Sequence, residues 1–233
     1  MKNTNMPTWE SLQKRMIWDQ LKFIKNKKIL DYGSGEGYTA NHFSQMNKVT
    51  AIEPSEVAIS NRVCENEYRQ IKGGLEALKK IESKSYDVIF CHFVLGYTED
   101  RSDILAEFER ILKKDGLLSI IKHNRIGRVM QMVTLLNDFE HADELLDGKP
   151  SVARKYGTIN YYTDQELLEW SRKFKVSKIY GIRTFWALQQ EQEIHTDPDW
   201  QDKMLKMEMR VCEIEEYRAV ASFHHLILHR KPL

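Results

Sequence analysis

The 233 residues suffice for one large domain and leave little room for two. With 42% hydrophobic and 10% aromatic residues, the composition excludes a disordered chain and fits a globular one that buries a core. A formal charge of +1 excludes overall dominance by one sign, yet residues 171–186 hold five bases and no acid, whereas residues 191–216 hold nine acids against three bases.

No apolar run approaches the roughly 20 residues that span a bilayer, so no membrane partner is expected. Met1-Lys2-Asn3-Thr4-Asn5-Met6-Pro7 lacks the apolar stretch of a secretory signal. Cys64, Cys91 and Cys212 are odd in number, far apart and without metal-ligand spacing. Reduced thiols, a cytoplasmic location and no bound metal are the expectation.

In chain order, Trp9, Leu12, Met16, Ile17, Leu21 and Ile24 recur at helical spacing and predict a lead-in helix over 8–26. Lys28-Ile29-Leu30-Asp31-Tyr32 reads as a short strand, followed by a glycine-rich turn and a helix around 37–46. A second strand, 49–53, is ended by Pro54 and followed by a helix reaching about Arg69. A weak strand at 69–72 leads through Gly73-Gly74 to a helix at 75–82. Tyr86–His92 has the continuous apolar character of a strand buried on both faces. Ile104, Leu105, Phe108, Ile111 and Leu112 mark a helix that Lys113-Lys114-Asp115-Gly116 should terminate, and 117–122 is a fifth strand. The alternation predicts a parallel sheet with helices on both faces.

That alternation breaks at 125–162, where one helix (Ile126, Val129, Met130, Val133, Leu136) precedes a polar, irregular stretch. Its length predicts a cap over a site. Thr163-Asp164-Gln165-Glu166 has capping-box spacing and opens another helix. Strand 175–183, helix 199–218 and strand 221–229 complete the chain.

The chemistry concentrates first in Asp31-Tyr32-Gly33-Ser34-Gly35-Glu36-Gly37. A strand ending in an acid, then glycines, then a helix presents backbone N–H groups and a positive helix end to a ligand. The dinucleotide pattern needs its third glycine three residues after the second. Here Tyr38 occupies that position, so the dinucleotide pattern fails. Glu53 closes the second strand, where a carboxylate lies in the crevice outside the strand ends and suits the hydroxyls of a ribose. Leu75 and Glu76, after Gly73-Gly74, are candidate adenine contacts, although Glu76 in a first helical turn would also favour the dipole. His92 ends the fourth strand at the same edge, as a site residue or as a buried core histidine.

The pattern Asp-x-Gly-x-Gly-x-Gly resembles motif I of the class I methyltransferases. Around it, Gly33-x-Gly35-Glu36-Gly37-x-Thr39-Ala40, Phe90-Cys91-His92-Phe93-Val94-Leu95, Asn137-x-Phe139, Gly181-x-Arg183-x-Phe185 and Glu208-x-Arg210-x-Cys212 through Arg230-Lys231-Pro232 are similar to the bacterial tRNA 5-carboxymethoxyuridine methyltransferases. The resemblance implies an α/β, Rossmann-like fold with a seven-stranded, mostly parallel sheet, helices on both faces and a helical cap after strand five. It implies one methyltransferase domain over 1–233: a lead-in helix at 1–26, a cofactor-binding half at 27–124, a substrate cap at 125–162, and a C-terminal half at 163–233 closing the sheet. S-adenosylmethionine is the implied cofactor, held by Asp31, Gly33, Ser34, Gly35, Glu53, Leu75, Glu76 and His92. The implied reaction esterifies the carboxylate of a modified wobble uridine in tRNA. Where the family has a cofactor-contacting arginine in its lead-in helix, this chain has Gln13, with Arg15 two residues on.

A carboxylate nucleophile is already ionised near neutrality, so it needs an orienting cation rather than a base. Arg183 is the preferred candidate, with His92 and Asn124 beside it as catalytic candidates. Lys122, His123, Asn124, Arg125 and Arg128, then Lys149, Arg154 and Lys155 with Tyr156, Tyr161 and Tyr162, form acid-free basic patches interleaved with aromatics. Such patches bind phosphates and stack bases, which makes Arg125, Arg154, Lys155 and Tyr161 candidate substrate contacts, or else they are a solvated face. The alternatives to tRNA are a small-molecule methyl acceptor and a noncatalytic adenosyl-binding module.

Overall fold

A computed structural model describes residue 6 and residues 8–153 and 157–231. The expectations that fall on Arg154, Lys155, Tyr156, Pro232, the side chain of Trp9 and most of the first seven residues lie outside the described residues. The chain forms two compact units. A sheet unit comprises residues 22–121, 163–178 and 226–233; a helical unit comprises 1–21, 122–162 and 179–225.

The sheet unit is built on β1 (Lys28–Tyr32), β2 (Lys48–Glu53), β3 (Arg69–Lys72), β4 (Tyr86–His92), β5 (Leu112–His123), β8 (Phe174–Ile182) and β9 (Phe223–Arg230). The last residues of β5 and β8 and the first of β9 continue into the helical unit. The seven strands run in the order β3-β2-β1-β4-β5-β9-β8. Every pairing from β3 to β5 is parallel. β1, β2 and β4 are buried almost end to end, as a sheet covered on both faces requires. Connections run through α2 (Tyr38–Ser44), α3 (Glu56–Ser60), α4 (Leu75–Leu78) and α5 (Arg101–Ile111), and α8 (Asp164–Trp170) precedes β8. Phe43 meets Phe90 and Tyr32 meets Phe108, both edge to face, at ring separations of 4.9 and 5.4 Å. Fully burying a side chain of this size contributes about 1.5–3 kcal/mol.

The helical unit holds α1 (Thr8–Gln20), α6 (Arg125–Gln131), α7 (Phe139–Leu146), α9 (Pro198–Val211) and α10 (Glu215–Ala219). It also holds an antiparallel ribbon of β6 (Ser151–Ala153) and β7 (Gly157–Ile159). α6 passes into a wider π turn, Met132–Leu136, which Asn137 closes at φ +52°.

The strands of the seven-stranded sheet and the Thr163 capping box lie close to expectation, except that β5 begins at Leu112 rather than Leu117; β6 and β7 are not among the expected strands, and five helix limits are corrected. α1 stops at Gln20, where the side chain is held against His225 and the chain leaves the helical unit. The helix after Pro54 is only α3, because the backbone beyond it is drawn to neighbours: Val63 N–H to Glu36 O and Asn66 N–H to Asn41 Oδ1. α4 ends at Leu78 because Arg110 donates to the carbonyls of Leu78 and Ile81. α5 ends at Ile111, and Lys113–Gly116 belong to β5 rather than forming a terminator. The expected helix 199–218 breaks into α9 and α10, because Gly181 N–H takes the Cys212 carbonyl. Glu215 and Glu216 then sit in a first turn, where the helix dipole favours acids. The stretch read as irregular also contains a regular helix, α7, capped by Asp138 on the His141 amide.

Candidate functional site

In the sheet unit, register brings the ends of three strands together. Tyr32 pairs with Ile52 on one side and Cys91 on the other, so Glu53 and His92 follow at the same carboxyl edge. Gly33, Gly35 and Gly37 adopt φ values of +73°, +56° and +75°. A Cβ on Gly33 would collide with Val94 Cγ2, and one on Gly37 with the Tyr68 hydroxyl. A Cβ on Gly35 would meet nothing within 4 Å, so the loop is open there. That opening is where a ligand can approach the backbone closely.

Glu53 is buried, with Oε2 accepting the Gly35 N–H at 2.8 Å and Oε1 accepting the Ser55 N–H at 2.9 Å. Each carboxylate oxygen has two lone pairs, so each retains one for a ribose hydroxyl. Ser34 Oγ is shielded from solvent and has no hydrogen-bond partner. An open glycine, a shielded hydroxyl and a carboxylate with spare lone pairs fit an adenosyl group. Asp31 is buried in register between Ala51 and Phe90.

Leu75 is half-buried, and Glu76 folds back so that Oε1 accepts the Gly74 N–H at 2.8 Å, which holds its carboxyl below the usual range. Glu76 thus serves the start of α4. His92 is buried, with Nε2 2.8 Å from Ser119 Oγ and its ring stacked on Phe90. This is the geometry of a core histidine at the strand end. At the same edge Phe93 holds φ +61°, a strained value for a bulky residue.

The helical unit gathers a different set. Asn124 caps α6 through Oδ1 on the Ile126 N–H. Its amide donates to the Ala219 and Ala221 carbonyls at 2.9 and 2.8 Å. Every strong polar group of that side chain ties the start of α6 to the turn before β9, which makes Asn124 a tether. Lys122, read from the sequence as part of a basic surface patch, is 4% exposed and donates to the Tyr162 carbonyl at 2.6 Å. A lysine so enclosed is corrected from surface patch to core. Burial lowers the His123 pKa to about 4, so its ring is neutral, and it packs edge-on against Phe223 and Tyr161. Arg125 lies over the Tyr161 ring, 5.6 Å from its centroid, and reaches the Gly148 carbonyl. Lys149 pairs with Glu144. Gln13 is buried, and Arg15 is paired with Asp202 at 2.6 Å.

Arg183 holds φ +61° and lies over Phe223 at 5.6 Å. Burial lowers its pKa from the ordinary value to about 10, with Glu208 opposing that shift and Arg128 adding to it. The guanidinium therefore stays charged at neutrality. It lines a cavity of about 300 Å³ with Thr8, Gln131, Leu135, Trp186, His195 and neighbours. Glu208, 0% exposed, fixes the following residues. Its carboxylate accepts the N–H groups of Thr184, Phe185 and Trp186 at 2.8, 2.9 and 2.9 Å. Burial nonetheless raises its pKa, those amide bonds and Arg183 acting the other way. Glu208→Ala would strand three N–H groups, two of them in fully buried bonds. A loss of about 3 kcal/mol in a urea titration is the expected result.

The sequence reading did not single out Glu208 for this role, nor Gln131, Trp186 or His195 at all. A signal existed for two of them: Trp186, His195 and Trp200 are aromatic residues around an otherwise acidic, polar segment, and they form one cluster in which His195 stacks on Trp186 and Trp200 is tilted against both. Among the described residues no helix is long and apolar enough to cross a membrane, and no cluster of metal-ligating side chains occurs.

Residues 30–120 match the methyltransferase domain family. A thiol S-methyltransferase of Mus musculus is 29% identical over 122 residues, 48% of this chain and 50% of that protein. The chain thus spans about half the length of that relative. A tRNA 5-carboxymethoxyuridine methyltransferase of Escherichia coli strain K12 is 22% identical over 240 residues, covering 95% of this chain and 88% of the other. A solved S-adenosylmethionine-dependent methyltransferase from Mesorhizobium loti has a TM-score of 0.59 at 13% identity, covering 94% of this chain and all of that one. That likeness establishes the fold.

Proposed function

We propose that this chain, which carries a class I S-adenosylmethionine methyltransferase domain, transfers a methyl group to a carboxylate, and that the carboxylate belongs to a modified wobble uridine of tRNA. The observation that carries the reading is the cavity at Arg183, whose described lining holds a half-buried, charged guanidinium and no acid. An arginine fork matches a carboxylate with two parallel hydrogen bonds. The cofactor, when bound, supplies a methyl group on a sulfonium. Gly33, Ser34, Gly35 and Glu53 would hold its adenosyl part. The protein's task is to orient an already ionised oxygen, so His92, engaged with Ser119, is not required as a base.

The tRNA assignment draws its support from the Escherichia coli relative, whose similarity runs through the helical unit as well as the sheet unit. The Arg125–Tyr161 pair supplies a cation beside an aromatic face, as single-stranded nucleic acid requires. One observation favours a second reading, a small carboxylic acid. The helical unit is acidic along α7 (Glu140, Asp143, Glu144) and at its caps, Asp138 and Asp147, which repels phosphates. Nucleoside mass spectrometry of tRNA from a deletion strain separates the two. The wobble methyl ester is expected to vanish and its free acid to accumulate. Unchanged ester would remove the tRNA substrate and leave the small acid.

A further inference from the structure

We propose that His195 is the second anchor of the anion in the Arg183 cavity, which makes that cavity a subsite selective for a carboxylate over its neutral amide or ester. The inference rests on the carboxylate reading above and adds a specificity-determining residue to it.

Four observations in the helical unit converge. First, His195 lines the same cavity as Arg183, and its Nε2 is shielded from solvent without a hydrogen-bond partner. A shielded ring nitrogen left in that state is costly, and a ligand oxygen that reaches it from the cavity would satisfy it. Second, the ring is held in place. It stacks on Trp186 at 4.4 Å with planes 10° apart, and Trp200 stands 5.2 Å away. Trp186 is itself anchored through its N–H by Glu208, the carboxylate that also orders the residues after Arg183. One buried acid therefore sets both the guanidinium segment and the base of the imidazole stack.

Third, Arg183 is the one formally charged side chain of the described lining, which also includes Gln192, whose NH₂ donates to the Gln189 carbonyl and whose Oε1 is an acceptor. Arg128 donates to Gln131 Oε1, which turns the Gln131 NH₂ into the end available to a ligand. Thr8 adds a hydroxyl, and no carboxylate is among the described lining residues. A charged donor joined by neutral ones around a half-open cavity without an acid favours an anion. Fourth, Gln131 and Leu135 flank or lie in the π turn Met132–Leu136, a local widening of the kind that recurs at functional sites. Burial and the neighbouring Arg183 both lower the His195 pKa, so the neutral ring offers one N–H donor.

The chemistry fits a methyl-ester product. Esterification removes the charge that Arg183 and His195 hold, so the subsite retains substrate and releases product.

The test is ligand-observed NMR titration of the full chain with phenoxyacetate, an aryloxyacetate probe, and with neutral phenoxyacetamide. Phenoxyacetate is expected to bind at least about tenfold tighter than the amide. His195→Gln retains an N–H donor and loses the ring; His195→Phe retains the stacking ring and loses the donor. His195→Gln should stay within about threefold of the unsubstituted chain, and His195→Phe should weaken phenoxyacetate about tenfold without changing the amide. A purely structural ring predicts the opposite order. Any result in which His195→Gln does not outperform His195→Phe overturns the proposal, as does equal binding of acid and amide by the unsubstituted chain. Unchanged wobble ester in the deletion strain, together with intact phenoxyacetate selectivity, removes the tRNA reading and leaves the subsite.

Discussion

Glu53→Ala is expected to weaken S-adenosylmethionine binding about a hundredfold, measured by isothermal titration against both the cofactor and S-adenosylhomocysteine. Hydrogen bonds to a charged group contribute about 1.5–3 kcal/mol each, and one to two such bonds to a ribose diol give that factor. A second effect points the same way. Glu53 accepts the Gly35 and Ser55 amides, so its removal frees the loop at its one open glycine. Glu53→Gln separates the contributions, because the amide oxygen can keep one of those bonds while its NH₂ cannot accept the other. Its affinity should fall between the two. No heat from the unsubstituted chain at high cofactor concentration would overturn the adenosyl assignment itself.

That site was legible in the sequence because its determinants are local or set by strand register. Positive φ values at Gly33, Gly35 and Gly37 are a property of the turn, and glycine is the residue that adopts them freely. Glu53 needed only the rule that parallel strands end at one edge, which the Tyr32–Ile52 pairing bears out. The acceptor side was less legible, because its residues act through partners distant in sequence. Asn124 looks like a catalytic amide until its NH₂ is seen on Ala219 and Ala221. Lys122 looks like part of a basic surface patch until its ammonium is seen on the Tyr162 carbonyl. Glu208 lies in a stretch with nine acids, most of them on exposed positions, and nothing local marks it as the one buried on three amides. Composition reports the average of such a segment, whereas the local structure turns on the exception. The helix errors share this cause: Arg110 ends α4 and Gly181 ends α9 through contacts that no local window contains.

Arg183→Gln is expected to lower kcat/KM for methyl transfer about a thousandfold while leaving the cofactor Kd within about threefold. Two charge-assisted hydrogen bonds from a guanidinium fork account for roughly that factor. Glutamine is the informative substitution because it stays neutral beside Glu208, whose carboxylate remains satisfied by the Thr184, Phe185 and Trp186 amides. A glutamate would set two buried carboxylates against each other and confuse folding with catalysis. Arg183→Lys should recover part of the rate, since charge persists but the planar fork does not. The pH dependence follows from the same pairing. A carboxylate acceptor is protonated below a pKa of about 4 and loses its charge as the pH falls. The Arg183 guanidinium, lowered by burial to about 10, loses its charge as the pH rises past that value. The rate profile for kcat/KM should therefore be flat between about pH 5 and 9, falling on both sides. An inflection near pH 6.5 would instead reveal an essential imidazole base. It would overturn the assignment of a pre-ionised nucleophile, and a thousandfold loss confined to KM would assign Arg183 to binding alone.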